Sequence, residues 1–204
     1  MTAIGGCVLV AGTGTEVGKT WLGAQLAPRL GAAAWKPAQS FVPGEGPTDA
    51  EVLAAATGQS PEDVCPRHRW YPVPLAPPEA ADELGLPPFT MADLLAERPS
   101  ADRLLVEGAG GPRSPLASDG DTVSLAAALA PSTVVLVAHA GLGTINDVRL
   151  CAAALAGLAP LVVFLNRFDD GATVDRRNLS FLRADGFDVA ADLPSLERLL
   201  HVLV

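Results

Sequence analysis

The sequence predicts one α/β domain with a mostly parallel central sheet and helices on both faces. Three observations predict it. Apolar runs of strand length alternate with alanine-rich segments of helical length, the pattern of parallel strands joined by crossover helices. The 204 residues suffice for one well-buried core and are too few for two of ordinary size, so residues 1–204 are read as a single domain. A glycine-rich segment, Gly-Thr-Gly-Thr-Glu-Val-Gly-Lys-Thr at residues 12–20, joins the first apolar run to the first helical pattern, where such sheets hold a phosphate group.

The first strand is expected at residues 6–11, where Cys7, Val8, Leu9 and Val10 form a continuous apolar run, and the helix that follows at 18–30. A short strand at 32–35 ends in Lys36-Pro37, and a helix at 48–57 opens on Thr48-Asp49. Residues 65–88 contain seven prolines, which lack the backbone N–H of a helix interior or a central strand, so an extended surface excursion is expected there. Helices at 90–97, 122–130, 145–157, 174–185 and 195–201 and strands at 103–106, 133–139, 161–165 and 187–190 complete the alternation. Together the glycine-rich turn and this alternation describe a P-loop fold.

Charge and cysteine usage narrow the function classes. A formal net charge of -9 argues against nucleic acid as a partner, because polyanion binding needs a basic face. Cys7, Cys65 and Cys151 show no paired spacing, which indicates neither a zinc site nor a disulfide framework and favours a cytoplasmic location. No basic segment precedes a long apolar run at the start of the chain, so no signal peptide is expected. The most apolar stretch, residues 125–143, contains Pro131 and His139, and no membrane span is expected. His68, His139 and His201 lack ligand-like spacing and are read as structural or surface residues.

The loop at 12–20 would turn successive backbone N–H groups toward phosphate oxygens, with the positive end of the following helix behind them. Lys19 would reach the outer phosphates and the Thr20 hydroxyl would sit on a magnesium ion, which makes ATP with Mg2+ the first ligand to propose. Five residues separate Gly12 from Gly18, one more than in the commonest template, and Thr13 occupies a position where that template has glycine.

In open parallel sheets ligands bind beyond the carboxyl ends of the strands, and here those ends are polar. After the second strand comes Lys36, suited to charge developing on a transferring phosphoryl group, with Gln39 and Ser40 close behind. After the third come Glu107, Gly108, Ala109 and Gly110, after the fourth Leu142, Gly143 and Thr144, and after the fifth Asn166 and Arg167. Magnesium favours oxygen ligands and keeps several waters, so Thr20, Asp49, Glu107 and phosphate oxygens make a consistent shell. Each residue also has a plainer reading: Asp49 as a helix cap or first-turn charge, Glu107 as a solvated loop charge, Lys36 as a surface lysine and Asn166 as a turn asparagine.

These motifs, taken in order, resemble the dethiobiotin synthetase family, ATP-dependent carboxylases of the biotin pathway. The likeness spans nearly the whole chain: the long loop with Glu16 and Val17, Lys36-Pro37 with Ser40, Thr48-Asp49-Ala50, Pro74-Leu75-Ala76-Pro77, Val-Glu-Gly-Ala-Gly-Gly at 106–111, Leu-Gly-Thr-Ile-Asn at 142–146, Asn166, and Asp192-Leu193-Pro194. The resemblance implies that a diaminopelargonate amine captures CO2 as a carbamate, that the carbamate attacks the γ-phosphate of ATP, and that the second amine closes the ring. By the same resemblance Lys36, Lys19 and Thr13 serve catalysis, and Thr20, Asp49 and Glu107 hold magnesium. Glu16, Val17, Gly18, Lys19, Thr20, Trp21, Glu107, Gly108, Ala109, Gly110, Asn166, Arg167, Leu193, Pro194 and Ser195 bind nucleotide. Ser40, Thr13, Leu142, Gly143, Thr144 and Asn146 contact substrate, the 142–146 group from the partner of a homodimer.

The chain departs from the family pattern at Phe41, where glycine is usual, and at Pro78 and Asp147, where histidine is frequent. Two other readings stay open: a related P-loop enzyme or paralogue that activates a different small carboxylate or amine, and a nucleotide-dependent switch or partitioning ATPase. Switch ATPases of this superfamily commonly carry a lysine near the start of the loop, where this chain has Gly12 and Thr13.

Overall fold

In the computed structural model, which describes residues 6–202, the central sheet has six strands, all parallel. Residues 1–5 and 203–204 of the expected 1–204 domain lie outside the described residues. In chain order the elements are β1 (Gly6–Gly12), α1 (Lys19–Leu30), β2 (Ala33–Trp35), β3 (Gln39–Ser40), α2 (Asp49–Thr57), α3 (Pro61–Val64), β4 (Trp70–Tyr71), α4 (Pro77–Glu83), α5 (Met91–Ala96) and β5 (Arg103–Glu107). Then follow β6 (Pro115–Ala117), β7 (Gly120–Asp121), α6 (Thr122–Leu129), β8 (Thr133–His139), α7 (Thr144–Leu155), β9 (Leu161–Asn166), α8 (Thr173–Ala184), β10 (Asp188–Ala190) and α9 (Leu193–Val202). The sheet runs β10-β9-β8-β1-β5-β2, and β1 lies between β8 and β5. The chain leaves β1 toward one edge and later returns to build toward the other, so the loop after β1 opens at the switch point where ligands bind in such sheets.

Alternation along β1 sorts its side chains between two layers. Cys7, Leu9 and Ala11 join Leu104, Val106, Leu136 and Leu165 in one core, and Val8 and Val10 join Leu105, Val135, Val137 and Phe164 in the other. The first layer is closed by Leu94 of α5, Leu125 of α6, Val148 of α7 and Leu182 of α8, and the second by Leu22 and Leu26 of α1 and Leu196 and Leu200 of α9. Helices therefore cover both faces, and burial on both sides explains why the strands read as apolar runs without polar alternation. Among the described residues no helix is long and apolar enough to cross a membrane.

The proline-rich stretch corrects the sequence reading. It is not a bare extended excursion: Pro77 and Pro78 open α4, where the missing N–H would have had no helical partner and the fixed φ suits a first turn. The same stretch contributes β4, which pairs parallel with β3 through Gln39–Trp70 and Ser40–Tyr71. Two-residue strands and the β6–β7 ribbon carry too little periodicity to be read from sequence.

A charged clasp fastens this stretch to α5. The Arg69 guanidinium donates to both oxygens of Glu97, from Nε at 3.0 Å and Nη2 at 2.7 Å, and His68 Nε2 lies 3.0 Å from Glu97 Oε1. The guanidinium also lies 4.4 Å above the Phe89 ring, which stacks on Tyr71. Burial works against the Glu97 charge, but the Arg69 and His68 bonds outweigh it and hold the carboxyl below its usual range. The folded pKa is thus depressed, so the stabilisation is present above the ordinary glutamate pKa and is lost as pH falls through the folded value. Glu97→Gln should lower stability at neutral pH by about 1.5–3 kcal/mol, the scale of a charge-assisted bond. Urea titrations from pH 7 to pH 3 check this, and the gap between variant and parent should narrow toward the acid end.

Candidate active site

The loop after β1 closes on itself in a form that only glycine permits at its ends. A Cβ at Gly12 would meet Val17 Cγ2 at 2.8 Å and Lys19 Cδ at 2.9 Å, which is closer than real Cβ atoms come. Gly18 caps α1 with φ of 98°, a left-handed conformation disfavoured for residues with a Cβ. Glu16 also has positive φ, at 58°, and is exposed. The Thr13 N–H donates to Val137 O at 2.8 Å, so a ligand contact from Thr13 must come from its hydroxyl or its carbonyl oxygen. Lys19, the first residue of α1, folds back and donates to Gly14 O within its own loop at 2.6 Å. Burial and the nearby Lys36 ammonium push the Lys19 pKa down to about 8. A polyanion in the loop would reverse that push.

Beside the loop four side chains from α1, β2's end, α2 and β5 converge. Lys36 Nζ lies 2.6 Å from Glu107 Oε1, 2.7 Å from Asp49 Oδ2 and 3.3 Å from Gly108 O. Thr20 Oγ1 lies 2.7 Å from Asp49 Oδ1 and 2.9 Å from Glu107 Oε1. The plain readings of Lys36 and Glu107 do not describe the cluster, whereas Asp49 is a first-turn acid of α2 as its plain reading had it. Lys36 is buried rather than on the surface, and Glu107 has no exposed area. The cap of α2 is Thr48, whose hydroxyl accepts from Glu51 N while Glu51 answers to the Thr48 N–H. That box leaves the Asp49 carboxylate free for Lys36 and Thr20. Gln39 accepts from Ala50 N through Oε1 and sets the first turn of α2, while its Nε2 is buried without a hydrogen-bond partner.

The cluster's electrostatics fit a divalent cation. Burial opposes the charge on Lys36, yet Asp49 and Glu107 outweigh it and hold the ammonium above the ordinary lysine range. Burial also opposes the Asp49 charge, with Lys36 and Thr20 overcoming it and lowering its pKa. For Glu107 burial prevails and raises the pKa despite Lys36. Its second oxygen, Oε2, is buried without a hydrogen-bond partner. The Thr20 hydroxyl has a single proton for two carboxylate oxygens, so two acceptors face each other at any moment. Among the described residues no three His, Cys, Asp or Glu side chains form a metal centre by themselves. One hydroxyl, two carboxylates and phosphate oxygens form a hard oxygen set of the kind magnesium takes.

Comparison with known proteins gives the family of the chain. The AAA domain family matches residues 7–201. The chain is 41% identical over 202 residues to the ATP-dependent dethiobiotin synthetase BioD of Rhodococcus jostii (strain RHA1), covering 92% of this chain and 86% of that protein. It is 39% identical over 208 residues to the protein of that name from Anaeromyxobacter sp. (strain Fw109-5), with coverage of 96% and 90%. A third, from Anaeromyxobacter sp. (strain K), is 42% identical over 175 residues, 78% of this chain and 76% of its own length. The chain belongs to the dethiobiotin synthetase family.

Other residues expected to serve a dethiobiotin synthetase are spread around the rim. Asn166, the last residue of β9, is buried and donates through Nδ2 to Val17 O at 2.9 Å, so its amide braces the loop. Arg167 follows it, exposed, with positive φ of 56°. Leu193, Pro194 and Ser195 form the first turn of α9, and the Ser195 N–H donates to Asp192 Oδ1 at 2.7 Å, which makes Ser195 part of a turn. Gly108 lies against Thr122, Ala109 packs on the core, and Gly110 has φ of 57°. Ser40 Oγ is buried and unpartnered beside β4.

Leu142, Gly143 and Asn146 line a hollow of about 590 Å³ at the start of α7. Gly143 caps that helix without a side-chain bond, and Thr144 Oγ1 is buried and unpartnered. Asn178 and Arg149 also line the hollow. The sequence reading missed both. Asn178 donates to Ala140 O and Gly141 O at 2.8 Å from a helix far along the chain, a relation that no local pattern signals. Of the departures from the family pattern, Phe41 packs its ring edge-on against Trp70, Pro78 serves the first turn of α4, and Asp147 accepts from Asn146 Nδ2 at 3.1 Å.

Proposed function

We propose that this chain uses ATP to carboxylate 7,8-diaminopelargonate and close it to dethiobiotin, releasing ADP and phosphate. The observation that carries the reading is the convergence of Lys36, Asp49, Glu107 and Thr20 beside a loop that admits no side chain at Gly12. One amine of the substrate captures CO2 as a carbamate, whose oxygen attacks the γ-phosphorus while the bond to ADP breaks. The second amine then attacks the carboxyl carbon of the mixed anhydride and expels phosphate, closing the cyclic urea. Backbone N–H groups of the loop orient the phosphates, Lys19 turns from Gly14 O to the outer phosphates, and Lys36 meets negative charge on the transferring group. Thr20, Asp49 and Glu107 would hold Mg2+, which when bound neutralises phosphate charge.

Ser40 and the start of α7 supply polar groups for the substrate. Leu142 and Leu150 are 96% and 64% exposed beside the α7 hollow, an apolar surface that suits a second copy of the chain and supports a homodimer sharing its substrate sites. The test is phosphate release from Mg-ATP and bicarbonate. Addition of diaminopelargonate should raise it well above the control lacking the diamine, with dethiobiotin appearing in equal amount. Release that is independent of the diamine would favour the switch ATPase and overturn the reading.

A further inference from the structure

Asp49 reaches the site from a helix whose entry is poorly anchored. Residues 42–47, which lead into α2, are all exposed, and the box of Thr48 and Glu51 joins the helix only to its own cap. The body of α2 is held better, with Ala50, Leu53 and Ala54 buried beside Ala34 and Val64. The Asp49 carboxylate is fixed from outside the helix by Lys36 on Oδ2 and by Thr20 on Oδ1, each at 2.7 Å. Neither bond can persist unchanged once Lys36 meets a phosphoryl group and Thr20 shares a cation. Gln39 bonds the same turn without using those charges. It opens β3 three residues after Lys36, is 2% exposed, and accepts through Oε1 from the N–H of Ala50, the residue after Asp49, at 2.9 Å. The amide cannot be turned over, because an N–H faces it and only its oxygen accepts. Nε2 is therefore the end left buried without a partner, an arrangement that lowers stability and marks a side chain with another duty.

We propose that Gln39 is a positioning residue for the cation site, holding Asp49 in place through the backbone of the next residue while Lys36 and Thr20 turn to the ligand. This deepens the reading above and rests on its assignment of Asp49 to the cation. A neutral bond to a main-chain N–H does not compete with a divalent charge, whereas the Lys36 and Thr20 bonds occupy the very oxygens that a cation would take. The segment from Lys36 to Gln39 thus has two tasks. It carries the ammonium, and it ties down the helix turn that bears the ammonium's carboxylate partner. Groups that orient a metal-binding carboxylate contribute about 10–100-fold to metal affinity without touching the metal.

The experiment measures, by calorimetry on the full chain, the affinity for a non-hydrolysable β,γ-methylene analogue of ATP with Mg2+ and again in EDTA. The ratio of the two isolates the contribution of the cation. Gln39→Met, of similar length but without the acceptor, should shrink that ratio about tenfold and change the EDTA affinity by less than about twofold. Gln39→Leu serves in its place if circular dichroism shows Gln39→Met unfolded. Gln39→Glu keeps an acceptor for Ala50 and should return the ratio to within about threefold of the parent. In an Asp49→Ala background Gln39→Met should cause no further loss, because the bond acts through Asp49. Equal weakening with Mg2+ and in EDTA would show general support of the fold, and an unchanged ratio would show that Asp49 needs no tether. A loss that persists without Asp49, or a Gln39→Glu no better than Gln39→Met, would show that the bond to Ala50 is not the cause; each of these overturns the proposal. None of the readouts uses the diamine. Failure of the diaminopelargonate assay would overturn the proposed reaction while leaving the tether intact.

Discussion

Lys36→Ala is expected to lower diaminopelargonate-dependent phosphate release by about 10³-fold while changing ATP affinity far less, the scale seen when a preorganised charge is removed from a developing anion. The ammonium contacts Asp49, Glu107 and the Gly108 carbonyl, and none of these is a phosphate-loop group. Its removal therefore leaves the cradle intact. A second effect should appear without nucleotide. Two carboxylates, one of them fully buried, lose their shared counter-cation, and breaking a buried pair from one side costs about 3–5 kcal/mol. Asp49 is partly exposed, which places the loss toward the lower end. Thermal unfolding should thus show Lys36→Ala below the parent in EDTA and partly restored by Mg2+, because the same oxygens can then share a divalent charge. A variant that binds ATP weakly but turns over normally when saturated would show that Lys36 serves nucleotide binding and not phosphoryl transfer.

The same cluster shows how far the sequence could be read. The central strands were legible because burial on both faces leaves unbroken apolar runs: β8 falls at the expected residues 133–139, and β5 extends the expected run by only Glu107. The positions of Lys36 and Glu107 were legible for a related reason, since each charged residue directly follows or ends such a run. Their pairing was not. That Lys36 would be buried between Asp49 and Glu107 depends on β2 lying beside β5 in register, with Trp35 opposite Val106, and adjacency in a sheet leaves no mark on either segment alone. Asn166 was visible as a polar strand end, but the bond that turns its amide onto Val17 comes from the loop's closed form. The helix at Pro77 was obscured by the prolines that begin it, because a count of prolines does not distinguish a first turn from an interior.

Gly18→Ala is the second substitution with a large expected effect, and two separable causes contribute. At φ of 98° an alanine pays for its Cβ through backbone strain, on the order of 1–3 kcal/mol at a site that cannot relax. The added Cβ would also overlap Asn166 Nδ2, so the amide must leave Val17 O or the loop must open. Opening the loop displaces its backbone N–H groups, and losing the Asn166 bond to Val17 O removes the brace that fixes them. ATP affinity should fall by about 10²-fold or more, since small misplacements of preorganised groups carry penalties of that size. A double variant divides the causes. Gly18→Ala with Asn166→Ala removes the overlap and keeps the strain, so it should bind ATP better than Gly18→Ala alone if collision dominates, and no better if the left-handed backbone dominates. Calorimetry on the three variants, with circular dichroism to confirm that each is folded, measures the coupling. Native ATP affinity in folded Gly18→Ala would show that neither the left-handed backbone at Gly18 nor the Asn166 brace is needed to hold the triphosphate.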